Sequence, residues 1–317
     1  MLALWLKMDF GNMQYRRLGK TNLQISAIGL GGWALGGGVD WGNTDPHAVM
    51  QTVSAALEAG INWIDTAPIY AASELLLGQA LQGRRHRFFV STKCGLVKNG
   101  SWTDHDLRAS TIITQLETSL RLLRSDYIDI YFIHYLDPRV PWEAALDTLA
   151  ALQQQGKIRY IGVCNVPAAI LTQMLDTGLV SCVQDELSLL HPHKSKEVLK
   201  ICTANDLGFM AYGPLCGGIL SAKYKREPNF RRADARNYFY KCYRGESFTQ
   251  AQGVIEKIQT VAQHQQISPV QVALGWVLAQ QGVSGALTGA RSAAQVMQNA
   301  ASAEIALSKE DLCTLQK

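Results

Sequence analysis

Short β-rich runs followed by stretches of helical period recur from about residue 28 to residue 302, and this alternation limits the fold more than any other feature of the chain. Strands separated by helical crossovers pair in parallel. Eight runs have strand character, at 28–32, 61–65, 88–93, 127–134, 160–163, 181–186, 209–212 and 284–288. Between them, Trp142, Ala145, Leu146, Leu149 and Leu152 fall at i, i+3, i+4 and i+7 behind Pro141, and Gly156 stands where such a helix stops. One unit earlier, Ile113, Leu116, Leu120 and Leu123 are the expected buried face. Ahead of the first strand, 15–18 and 23–26 flank Gly19-Lys20-Thr21-Asn22, which reads as a β-hairpin able to cover one end of a barrel. A doubly wound open sheet alternates in the same way, so the polar residues must decide.

Those residues favour a closed barrel, where the C-terminal ends of all strands open on one mouth. The second run ends in Asp65 with Tyr70 after it, the third in Lys93 and the fourth in His134. The fifth runs into Cys164-Asn165, the sixth carries Gln184 and the seventh ends in Tyr212. Packing alone does not place an ionisable or amide residue at strand end after strand end. If Asp65, Tyr70, Lys93 and His134 converge, the ammonium stabilises a phenolate and should lower the tyrosine pKa from its reference of ~10, making it a general acid near neutral pH. Asp65 would keep Lys93 protonated and oriented, and His134 could position a carbonyl oxygen. The expected architecture is therefore α/β: a single (β/α)8 TIM barrel with an N-terminal β-hairpin over residues 13–317, and an extension at 1–12.

The runs Gly60-Ile61-Asn62-Trp63-Ile64-Asp65-Thr66-Ala67-Pro68-Ile69-Tyr70, Ser91-Thr92-Lys93, Asp126-Tyr127-Ile128-Asp129-Ile130-Tyr131-Phe132-Ile133-His134 and Gly156-Lys157-Ile158-Arg159-Tyr160-Ile161-Gly162-Val163 carry a resemblance to the aldo-keto reductase superfamily. That resemblance implies hydride transfer from a nicotinamide to a carbonyl carbon, with Tyr70 giving the proton. It implies NADP(H) as cofactor, with Asn165 and Gln184 on the nicotinamide amide and Tyr212 stacked on its ring. Gly213, Pro214, Leu215, Gly217 and Lys223 would line the pyrophosphate path. Gly289, Arg291, Gln295 and Asn299 would surround the adenosine 2′-phosphate, where a helix N-terminus beside a guanidinium makes a phosphate clamp. Gly32, Trp33 and Asp65 complete the cofactor set. Three positions depart from the family pattern. Cys164 replaces a serine, a thiol being the weaker hydrogen-bond partner, the loop after Tyr70 is short, and Leu187 replaces a common tyrosine.

Other signals lead elsewhere or nowhere. Gly29-Leu30-Gly31-Gly32-Trp33-Ala34 fits a dinucleotide fingerprint, but Gly36-Gly37-Gly38 follows where its helix should run. His191-Pro192-His193 has no thiolate or carboxylate cluster close in sequence and reads as solvated, so no metal site is expected. The segment 223–248, rich in Lys and Arg and interleaved with Tyr238, Phe239 and Tyr240, is either a solvated loop or a flap over an anionic ligand. Trp33 is either pocket lining or rim packing.

A net charge of +4 spread along 317 residues gives no basis for nucleic-acid binding, and 47% hydrophobic residues against 18% charged suit one sizeable core. No run approaches the ~20 apolar residues of a membrane span. The brief apolar start at Met1 to Leu6 lacks a cleavage site, so a cytoplasmic location is expected. Seven cysteines without a C-x-x-C pair suit free thiols. The expected function is reduction of small aldehydes or ketones. A cofactor-binding regulatory subunit of a membrane channel, or a sugar or alcohol dehydrogenase working in reverse, are the alternatives. An oligomer is possible.

Overall fold

A computed structural model describes residues 13–100 and 102–316. The expected N-terminal extension, 1–12, lies outside them.

Eight parallel strands close into a barrel. In chain order, after a hairpin of β1 (Tyr15–Arg17) and β2 (Gln24–Ser26), these are β3 (Ile28–Gly31), β4 (Trp63–Asp65) and β5 (Phe89–Cys94). A second hairpin, β6 (Leu96–Asn99) and β7 (Trp102–His105), precedes β8 (Ile128–Ile133), β9 (Ile158–Cys164), β10 (Val180–Glu186), β11 (Gly208–Tyr212) and β12 (Val283–Gly289). β12 pairs with β3 to complete the ring, which runs β3-β4-β5-β8-β9-β10-β11-β12. All eight strands read from the sequence belong to it. Closure leaves no sheet edge, so the open-sheet alternative fails.

Two apolar layers hold the barrel. Outside, the strands bury Ile28, Ile64, Val90, Ile161 and Val183 against the helices. Inside, Trp63, Ile130, Phe132, Cys182 and Met210 meet Leu18, Leu23 and Ile25 from the first hairpin, which therefore plugs the N-terminal end. The interior is filled by setting large side chains against glycines. A Cβ on Gly29 would lie 2.2 Å from the Trp63 ring, and one on Gly162 would lie 2.3 Å from Phe132. Among the described residues no helix is long and apolar enough to cross a membrane.

The helix at Trp142–Gln154 buries Ala145, Leu146, Leu149 and Leu152 as the spacing implies. The helix at Ala109–Leu123 keeps the expected face at Leu116, Leu120 and Leu123 and departs from it only at its start. Ile112 is buried beside Leu116 and Leu123, whereas Ile113 is 41% exposed. The adjacent pair Ile112-Ile113 left the start of the face ambiguous, and packing chose Ile112. The β6–β7 hairpin was not anticipated, because its polar, glycine-broken sequence has no strand alternation.

Candidate active site

At the C-terminal mouth, the ends of β4, β5, β8 and β10 bring four polar groups into one buried network. Lys93 Nζ donates to Asp65 Oδ2 at 2.5 Å and to the Thr66 carbonyl at 2.9 Å. Asp65 Oδ1 accepts from Ser91 Oγ at 2.7 Å and from Gln184 Nε2 at 2.9 Å. Each carboxylate oxygen thus has a donor, which the burial of Asp65 and Lys93 requires. The Lys93 ammonium lies 5.0 Å from the centre of the Tyr70 ring, and His134 meets that ring edge-on at 5.8 Å.

The electrostatics follow from burial and charge together. Burial alone would lower the Lys93 pKa, but Asp65 and Tyr70 outweigh it and hold the ammonium above its usual range. Burial, with help from Lys93 and His105, pushes His134 well below the usual imidazole range, so its ring is neutral. Tyr70 corrects the sequence reading. Burial raises its phenol above the usual value, and the opposing pull of Lys93 is partly cancelled by Asp65, so the net shift is upward. Residue types place the ammonium and its carboxylate partner beside the phenol but do not reveal how deeply the ring is buried, and burial decides the direction.

A cleft of about 730 Å³ opens above this network. Of the residues singled out from the sequence, Gly32, Trp33, Asp65, Tyr70, His134, Asn165, Gln184, Tyr212, Gly213, Pro214, Leu215, Gly217, Lys223, Gly289, Arg291, Gln295 and Asn299 all line it. Lys93 lies beneath, bonded to Asp65 and close to the Tyr70 ring. Cys164 does not line the cleft. It is 1% exposed and packs with Trp63, Phe132 and Cys182 in the barrel interior, because it sits on the strand face that points inward.

Several of these groups already have partners. Tyr212 donates from its hydroxyl to Asn165 Oδ1 at 2.7 Å, and Asn165 Nδ2 donates to the His134 carbonyl at 3.1 Å. Arg291 donates to the carbonyls of Trp41 at 3.1 Å and Asn43 at 2.8 Å, bridging to the far wall, while its backbone N–H donates to Gln295. Asn299 bonds Thr288 at the base.

The segment 223–248 crosses the mouth of the cleft. Tyr238 donates to Asp40 at 2.6 Å and Arg231 to the Val39 carbonyl at 3.1 Å, so the segment is tied to the loop after β3 across the mouth. Phe239 packs edge-on against Trp33 at 5.1 Å, and Trp33 stacks on Tyr70 at 5.9 Å. Trp33 is pocket lining. Sequence reading missed Asp40, Trp41, His105, Tyr135 and Arg236, which also line the cleft. They sit on connecting segments where no periodicity marks them, although Trp41 follows the glycine-dense stretch already noted.

The cleft suits a dinucleotide. Its lining ends at one side in amide groups and at the other in a guanidinium just before the helix at Ala293–Ala300. Trp41 lines it with an indole N–H that is buried and has no partner, a donor left for a ligand acceptor.

Comparison with known proteins identifies the family. The model of the Aldo/keto reductase family matches residues 27–317. An aldo-keto reductase of Bacillus subtilis, YhdN, is 34% identical, with 90% of this chain and 87% of that protein covered. The NADH-specific methylglyoxal reductase of Escherichia coli is 33% identical, with 95% and 96% covered. Among solved structures, the glycerol dehydrogenase AKR11B4 of Gluconobacter oxydans superposes with a TM-score of 0.87 at 30% identity, covering 96% of this chain and 95% of that one. The chain belongs to the aldo/keto reductase family.

Proposed function

We propose that this chain is an NADPH-dependent reductase of small aldehydes and ketones in which Tyr70 gives the proton to the carbonyl oxygen. The observation that carries the proposal is the Asp65–Lys93 pair packed under the Tyr70 ring, with neutral His134 beside it, on the floor of a cleft walled by aromatic rings. When bound, the nicotinamide supplies the hydride. Everything else falls to the chain. Asn165 and Gln184 orient the carboxamide end and Tyr212 supports it, while Arg291 and Gln295 hold the 2′-phosphate end. Tyr70, protonated at neutral pH because burial raises its pKa, donates to the oxygen as negative charge develops there. Lys93 stabilises the phenolate left behind, and Asp65 holds Lys93 in place. Neutral His134 donates a hydrogen bond to the same oxygen without competing for the proton.

A phenol that holds its proton at neutral pH is in the form that carbonyl reduction requires. Methylglyoxal and glycerol, the compounds in the names of two relatives, are both small and oxygen-rich. A compact, oxygenated carbonyl substrate fits a cleft narrowed by Trp33 and Phe239. The test is consumption of NADPH and of NADH across a panel of aldehydes, ketones, sugars and pyridoxal. Turnover of a small aldehyde with NADPH supports the proposal. Tight NADPH binding with no turnover of any carbonyl would favour a regulatory, partner-binding protein.

A further inference from the structure

Glu186 ends β10, Cys216 lies in the loop after β11, and the turn between them brings His191 back over the carboxylate. Residues 188–191 form that tight turn, with the His191 N–H donating to the Ser188 carbonyl at 3.1 Å and the two residues bridged antiparallel. One carboxylate oxygen of Glu186, one imidazole nitrogen of His191 and the Cys216 sulfur lie within 4.8 Å of one another, with His191 Nε2 3.8 Å from Glu186 Oε1. In the sequence His191 has no thiolate or carboxylate cluster beside it. The fold turns His191 back onto Glu186 and brings the Cys216 thiol to both.

We propose that Glu186, His191 and Cys216 form a zinc-binding site outside the catalytic cleft. Sulfur, imidazole and carboxylate are the three ligand types that Zn²⁺ accepts, whereas Mg²⁺ and Ca²⁺ require oxygen. Three protein ligands leave the fourth tetrahedral position for water. At zinc bond lengths of about 2.0–2.3 Å, the three atoms need to close by roughly 1 Å. The half-exposed His191 side chain can make that adjustment. A cavity of about 540 Å³ beside Glu186 is lined also by Asp185, His193 and Glu197.

The surroundings resemble an outer shell. The Cys216 thiol donates to Ser188 Oγ at 3.1 Å, and the same hydroxyl can turn to donate to a metal-bound thiolate. Ser195 Oγ donates to the Glu186 carbonyl at 2.5 Å, fixing the chain that carries the carboxylate. On binding, a Zn–S bond forms, the S–H bond breaks and the proton leaves to solvent. The Lys194 ammonium now bonded to Glu186 Oε2 is the competing cation, and its half-exposed side chain can swing into water. Leu215 and Gly217, on either side of Cys216, both line the cofactor cleft, so zinc here would pin the loop that carries them.

The probe is zinc chloride alone, titrated calorimetrically into the reduced full-length chain, with cobalt(II) as a spectroscopic substitute. One equivalent of zinc should bind, and cobalt should show a thiolate-to-metal charge-transfer band. Cys216→Ser should remove the band and weaken zinc roughly 10-fold or more, and His191→Ala, at an exposed position that folding does not need, should weaken it comparably. Lys194→Ala should tighten zinc by removing the competing cation. His193→Ala and Cys313→Ser should change nothing. Absence of stoichiometric binding, or binding and a band that survive both Cys216→Ser and His191→Ala, overturns the proposal, as does a band lost with the exposed Cys313.

Discussion

Lys93 Nζ lies 2.5 Å from Asp65 Oδ2, and both side chains are almost wholly removed from solvent. Such a pair does not stabilise a fold cheaply, since each ion loses its hydration, but breaking it leaves one charge stranded. Lys93→Met should therefore destabilise the chain by about 3–5 kcal/mol, and adding Asp65→Asn should recover part of that loss. Denaturant unfolding of the two variants checks this, and additive losses would mean that the residues act independently.

The raised pKa values set the alkaline behaviour of the protein. Lys93 is more basic in the folded chain, so its contribution to stability is complete below its unfolded pKa of about 10.5 and is lost as pH rises through the higher folded value. Tyr70 also holds its proton more firmly when folded, so unfolding is favoured once free tyrosine ionises, above about 10. The log of kcat/KM for carbonyl reduction should stay level through neutrality and fall only above pH ~10. A fall centred near pH 7 to 8 would restore the depressed tyrosine that the sequence alone suggests.

The proposed preference for NADPH rests on Arg291 and Gln295. A charge-assisted contact to the 2′-phosphate contributes roughly 1.5–3 kcal/mol, so NADPH should bind about 10- to 100-fold more tightly than NADH. Arg291→Ala should erase most of that ratio by weakening NADPH alone. Fluorescence titration gives both constants, and equal affinities in the parent chain would remove the basis for the preference, as the NADH-specific relative shows is open to this family.

The segment 223–248 is held to the opposite wall by the Tyr238–Asp40 hydrogen bond. Tyr238→Phe should speed hydrogen exchange across 223–248, and NADPH should slow it in the parent chain. Exchange indifferent to both would make the segment ordinary surface.

Much of this was legible in the sequence, and the failures have physical causes. Strand ends announce the mouth of a barrel because a strand has one C-terminal end, so Asp65, Lys93, His134 and Gln184 could be placed together without coordinates. Whether Cys164 faces the cleft or the interior depends on strand tilt and register, which residue types do not reveal. The Tyr70 pKa required knowing how deeply the ring is buried, a property of the whole assembly. The Glu186–His191–Cys216 cluster depends on a tight turn and on a loop from another strand, and neither leaves a spacing signature.

The central claim concerns the Tyr70 hydroxyl, assigned to proton donation and not to cofactor affinity. Tyr70→Phe keeps the ring that stacks on Trp33 and removes only the acid. Single-turnover reduction of a good aldehyde by the NADPH-loaded variant should slow by about 10²- to 10⁴-fold, with the NADPH dissociation constant close to that of the parent. Reduction at the parent rate under the same chemistry-limited conditions would contradict the account.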